Sequence, residues 1–342
     1  MTQKQMKSVL ALVTGAALTS VAHGEDGWGR FSLSYRSSFN ISAEFSGVGG
    51  FSASGNPGGP GSIAGAAGTV VRQYDDGFIG IDISGNAGNL TWYWGYNEGS
   101  QVVGDMVRMN SFSSPGIKSG EVDDGPQHGM ELGYQIPVTR VENWKIGIES
   151  AFGWTDIGIT DSRAMAGTII TSTHGFALNG VIPPVAPYAG TVGGPGAMIS
   201  DVAVDLGSTL GTAVVTGTRT IDAALYSIRL GPYFEWELAE HASLQLSGGL
   251  SLGWMDSTFS YYETIVTGGV NRTAAGRGGK SDWLIGAYAR GQVNVNVSEG
   301  IWLFGGVEFN HLGDFEQTVM GRKATVDFGA VVAVSGGLSI SF

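Results

Sequence analysis

Polar and apolar residues alternate with a period of two along most of the chain, and helical spacing is scarce. Residues 283–297 show it best. Trp283, Ile285, Ala287, Ala289, Gly291, Val293, Val295 and Val297 share one face, against Gly286, Tyr288, Arg290, Gln292, Asn294 and Asn296 on the other. In 221–238, Ile228, Leu230, Phe234, Trp236 and Leu238 oppose Arg229, Gly231, Tyr233, Glu235 and Glu237; in 243–255, Leu244, Leu246, Leu250, Leu252 and Trp254 oppose Ser243, Gln245, Ser247, Gly249 and Ser251. Weaker copies occupy 30–42, 77–84, 89–97, 128–137, 143–156, 300–311 and 323–342. These segments predict about ten strands, or twelve if 164–218 hides two more.

The connections between segments alternate between short and long. Short ones fall near 85–88, 138–142, 239–241 and 298–300; long ones cover 43–76, 98–127, 157–220, 256–282 and 312–322. Short turns on one side and long loops on the other are the asymmetry of a transmembrane β-barrel, with apolar faces to lipid and polar faces to the lumen. Trp144 and Trp154 share a face ten residues apart, as do Tyr226 and Trp236. At ~3.3 Å per residue and ~45° tilt, each pair spans roughly 23 Å along the normal, near the ~25 Å apolar band between aromatic girdles. The expected fold is all-β: an antiparallel up-and-down barrel with short periplasmic turns and long extracellular loops.

Composition narrows this further. Lys4 and Lys7, the apolar stretch Val9 to Leu18 and the small residues around His23 read as an export signal over 1–24, leaving 25–342 as the barrel. Without the two lysines of that segment the balance is 16 basic against 30 acidic residues, a net of −14. That excludes nucleic acid as a partner. Cysteine is absent, as suits passage through an oxidising periplasm. The 57 glycines in 342 residues disfavour helices, and no segment is apolar for long enough to cross a bilayer as one.

Ser335, Gly337, Ile340 and Phe342 carry the most specific motif: a polar residue, a glycine two later, then hydrophobics three and five further on, with a terminal aromatic. The chain resembles bacterial outer-membrane β-barrel proteins, whose C-terminal β-signal has this form. The resemblance implies outer-membrane lipid as surroundings and the barrel-assembly machinery as a partner during biogenesis.

Parity of the strand faces puts six charges in the lumen: Arg36, Glu131, Glu149, Arg229, Arg290 and Glu308. Opposite charges in a narrow lumen should pair, because a buried unpaired charge is strongly unfavourable. Glu149 with Arg229 and Arg290 with Glu308 are the neighbouring-strand pairs. They serve either as a constriction or as filling in place of an apolar core; about ten strands lies near the filled end of the range. The expected function is accordingly porin-like or structural, with at most narrow passage of small solutes, and no enzyme activity, cofactor or metal.

Two other functions compete with this one. A surface binding module would use the glycine-rich loops 47–69 and 164–218. A rim protease similar to the omptins would use Asp75 and Asp76 with His311 and Asp314 to activate water, although the spacing departs from that family's paired motifs. The Gly249–Gly253 stretch matches G-x-S-x-G, but inside a strand rather than at the strand-to-helix turn that the motif requires.

Overall fold

A computed structural model describes residues 29–53, 61–62, 70–81, 88–267 and 270–342. The export segment, most of the loop 47–69 and residues 85–87 of the connection near 85–88 lie outside these. Among the described residues, eight antiparallel strands close a ring: β1 (Arg30–Phe39), β2 (Gln127–Val141), β3 (Trp144–Asp161), β4 (Val204–Ala239), β5 (Ala242–Thr267), β6 (Val270–Ser298), β7 (Ile301–His311) and β8 (Val331–Ser341). Each pairs with its sequence neighbour in the ring, and β8 pairs back onto β1. Gly29 and Phe342 exchange main-chain hydrogen bonds at the closure (3.4 and 3.2 Å). The turns at 142–143, 240–241 and 299–300 lie on one side and the connections 40–126, 162–203 and 312–330 on the other, where the expected long connection 256–282 is instead the continuation of β5 and β6 as strands.

The ring therefore holds eight strands and not ten. Of the two segments outside it, Gly77–Ile81 and Trp94–Tyr96 pair with each other, and with Val70–Gln73 and Tyr188–Ala189, in a separate outer sheet. The long segment 164–218 contributes no membrane strands. Its first part, Met165–Ala177, runs antiparallel to 204–215 and lengthens the β4 side of the barrel outward.

Cross-strand partners of Arg30 run through Gln135, Glu149, Gly231, Gly249, Tyr288, Asn310 and Val331, and return to β1 beside Asn40, a stagger from 30 to 40. Strand number and stagger together fix the bore, and eight strands leave an interior that side chains nearly fill. Backbones also approach closely. A Cβ on Gly286 would lie 1.6 Å from the His311 carbonyl oxygen, so no side chain fits there.

The outer face changes character along each long strand. On β5 the outward residues run Leu244, Leu246, Gly248, Leu250, Leu252 and Trp254, then Asp256, Thr258 and Ser260. The change falls on an unbroken cross-strand row of Tyr35, Met130, Trp154, Tyr226, Trp254 and Trp283. At the other end Trp144 stacks on Trp236 (5.1 Å, 12°), and Phe31 on Phe342 (5.4 Å, 28°). Leu250 (71 % exposed) and Ile285 (74 %) stand between these aromatic levels. An exposed apolar band bounded by aromatic residues is a lipid-facing surface, so the ring spans a membrane through strands.

Above the aromatic row the inner face is apolar. The upper parts of β3 to β6 face a four-stranded sheet of Glu121–Val122, Ser42–Ser46, Arg322–Asp327 and Asp314–Val319. Ile159, Ile221, Met255 and Phe259 from the first wall pack against Phe45, Phe315, Val326 and Phe328 from the second, with the Phe45 and Phe259 rings stacked at 5.6 Å. Side chains close the seams. Asp124 and Gln127 accept the Thr160 and Gly158 amides (2.5 and 3.0 Å), while Gln317 donates to the Gly278 carbonyl (2.6 Å).

Candidate functional site

All six predicted lumenal charges point inward and are buried. Their pairing follows register. Glu149 faces Gly231, and Arg229 faces Ala151, so these two are not direct partners. Arg229 reaches past β3 to Glu131 (2.5 Å) and also contacts Glu308. Arg36 bridges the same two carboxylates (3.3 and 2.9 Å), and Arg290 binds Glu131 at 3.0 Å. Arg290 and Glu308 are cross-strand neighbours, yet the ion pair of Arg290 is with Glu131. Three arginines thus surround two carboxylates in one cage, with Arg229 also lying over the Tyr288 ring (4.8 Å).

Neutral groups hold Glu149: Tyr288 Oη and Gln245 Nε2 donate at 2.9 Å, and Gln135 Nε2 at 3.3 Å. One level nearer the periplasm, Arg30 pairs with Glu235 (3.2 Å), which accepts from Ser243 (2.5 Å) and, at 3.5 Å, from Asn294. The glutamines, Tyr288 and the Arg30–Glu235 pair extend the site beyond the six charges. Parity sets Gln245, Tyr288 and Glu235 on the polar face, but amides and phenols do not stand out by charge, and the places of Arg30 and Gln135 come only from register.

Above the cage, a cavity of about 20 Å³ is bordered by Arg36, Thr155, Ser227 and Asn310 below and Leu225 and Leu312 above. It has room for about one water molecule. Beyond it begins the apolar core, which carries its own ion cluster: Glu263 accepts from the Gly49 amide (2.9 Å) and Arg322 (3.1 Å), and Arg219 donates to the Asp161 and Arg163 carbonyls (3.3 and 3.0 Å). Burial alone would raise the Asp161 carboxyl, but hydrogen bonds from Arg163 and the charges of Arg219 and Arg163 hold it below its usual value.

The four rim residues do not form one site. Asp76 accepts two bonds from Asn110 (both 2.6 Å), and Asp75 pairs with Arg272 and accepts the Phe112 amide (2.6 Å). Burial pushes the Asp76 carboxyl up against the lowering effect of the Asn110 bonds. His311 bonds the Gly329 carbonyl (2.6 Å) on the other side of the barrel wall, and no hydrogen bond joins the two pairs. Ser251 of the G-x-S-x-G stretch lies buried inside β5 and accepts from Asn310 (3.4 Å).

The C-terminal motif has a physical reading residue by residue. Ser335 points inward and accepts from Arg290 (3.2 Å). Gly337 lies so close to β1 that a Cβ would meet the Leu33 carbonyl oxygen at 2.1 Å. Ile340 and Phe342 face outward.

No family model and no curated protein sequence matches this chain. Solved structures with some likeness include Neisserial surface protein A (11 % identity, TM-score 0.30, 94 % of this chain and 100 % of that one) and Ail, the attachment invasion locus protein of Yersinia pestis (11 %, 0.28, 91 % and 99 %). The outer membrane protease OmpT of Escherichia coli is another (8 %, 0.34, 95 % and 100 %). At these scores the likeness carries nothing about what this chain binds or does.

Proposed function

We propose that this protein is a sealed outer-membrane barrel that anchors and displays its extracellular β-structure, with no solute passage. One observation carries the reading: the bore is occupied at every level, from the Arg30–Glu235 pair through the charge cage to the apolar core around Phe259. Three cations and three carboxylates balance in the middle level, so no net field favours an ion there. A surface role also draws support from the outermost loop, where Ile182 and Val185 stand 90 % and 91 % exposed. Apolar side chains so placed are ready to meet a partner.

Planar-bilayer recording on refolded full-length protein tests the reading. The expected trace stays at the level of the bare bilayer. Steps of conductance that change ion preference in Arg229→Gln or Arg290→Gln protein would instead mark the cage as a selectivity constriction and overturn it.

A further inference from the structure

The outer wall holds a second group of polar residues, brought together only by strand register. Two positions above the aromatic row on β1, β2 and β3, Ser37 faces His128 and His128 faces Asp156. Ser37 Oγ lies 3.2 Å from His128 Nδ1, and Tyr35 Oη lies 2.7 Å from the same nitrogen. The Tyr35 and His128 rings stack at 5.8 Å. Around this polar row stand Phe39, Met130 and Val334, all exposed and apolar. The group therefore opens sideways toward lipid, at the depth where headgroups meet acyl chains.

We propose that Ser37, His128 and Asp156, assisted by Tyr35, form a lipid-facing site that hydrolyses acyl esters of outer-leaflet lipids. A hydroxyl and an imidazole within hydrogen-bond reach are the minimum for an activated serine nucleophile. Nδ1 has one lone pair, so Ser37 and Tyr35 cannot both donate to it. When Ser37 donates, the Tyr35 hydroxyl is released to donate to an ester carbonyl oxygen, where negative charge develops. Asp156 makes no direct bond to the ring in the resting arrangement. As the cross-strand neighbour on the side away from Ser37, it is a positioning residue for the imidazolium.

In the reaction, Ser37 Oγ bonds to the acyl carbon as its proton passes to Nδ1. The bond to the lipid's alcohol oxygen then breaks, and that oxygen leaves with the proton. Water attacks the acyl-serine, its proton again passing to Nδ1. The Ser37–acyl bond breaks, releasing fatty acid, and the proton returns to Ser37. Ester and water give alcohol and acid, and the site is restored. Phe39, Met130 and Val334 offer the acyl chain an apolar bed. The proposal is independent of the sealed-lumen reading, since it concerns the outside of the wall.

The test uses refolded full-length barrel in mixed micelles, one arm with phosphatidylethanolamine and one with lipopolysaccharide. Released fatty acid is measured by mass spectrometry, and a fluorophosphonate probe labels the activated serine. Release in at least one arm is expected, with the probe on the peptide carrying Ser37. Ser37→Ala and His128→Ala should each lose about 100-fold or more of the rate. Asp156→Asn should lose less, in kcat and not in KM. Heat-modifiable migration in gels confirms that each variant is folded. No release in either arm and no label on Ser37 in folded protein would make the row a headgroup contact only and overturn the proposal, as would release that survives Ser37→Ala.

Discussion

Below the aromatic row the barrel is apolar outside and charged inside; above it, the same strands are polar outside and apolar inside. On β5 the lower stretch presents Leu250 to the exterior and Ser251 to the lumen, whereas the upper stretch presents Thr258 outward and buries Phe259. The alternation of residues never breaks. Only the solvent changes, from lipid to water, and with it the face that must be apolar. One ladder of hydrogen bonds thus joins an inverted membrane barrel to a conventional sandwich core. The two halves are held by different forces: ion pairs in the first, apolar burial in the second.

The largest effect should come from the cage. Arg229→Ala leaves Glu131 and Glu308 short of a cation in a buried site and is expected to destabilise the membrane half by about 3–5 kcal/mol, read by urea unfolding in vesicles. Met255→Ala creates a cavity in the outer core, with an expected loss of about 2–5 kcal/mol. Its signature separates the halves: proteolysis should cut the extracellular strands while the membrane-embedded fragment stays protected. Equal protection of both would show that they unfold as one unit. Arginine on the outer face then distinguishes the solvents. Leu250→Arg should cost about 2–4 kcal/mol, as a cation set against lipid, and Thr258→Arg, eight residues along the same strand, should stay within about 0.5 kcal/mol.

The smallest and most local effect concerns pH. The Asp161 carboxyl is held below its ordinary value in the folded protein. Its contribution is therefore present above about pH 4 and is lost as pH falls through the depressed value. Hydrogen exchange at 157–161 should speed up on acidification in that window, and Asp161→Asn should abolish the change.

Much of this was legible in residue order. Parity alone sets the six charges on the inner face and the aromatic residues 144, 154, 226 and 236 on the outer one, because a period of two assigns faces without knowledge of pairing. Pairing itself was not legible. The Arg229–Glu131 contact skips a strand and the Arg290–Glu131 contact crosses the bore, and the offset that permits them comes from the stagger of the ring. The count of ten arose because 77–81 and 94–96 alternate like membrane strands, although they belong to the outer sheet; alternation is the same whichever solvent a face meets. For the same reason the upper strands at 157–161, 204–220 and 256–282 read as loops in the sequence. Their apolar residues, such as Ile159 and Ile221, sit on the face that carries charge lower down.

The cage draws its members from β1, β2, β4, β6 and β7, so its charges cannot all be neutralised until the first strand has met the last. A sheet lacking that final pairing would carry Glu308 without Arg36, and lipid excludes such a group strongly. Halfway insertion is thereby disfavoured, and ring closure between β1 and β8 is favoured together with burial of the cage in the bilayer.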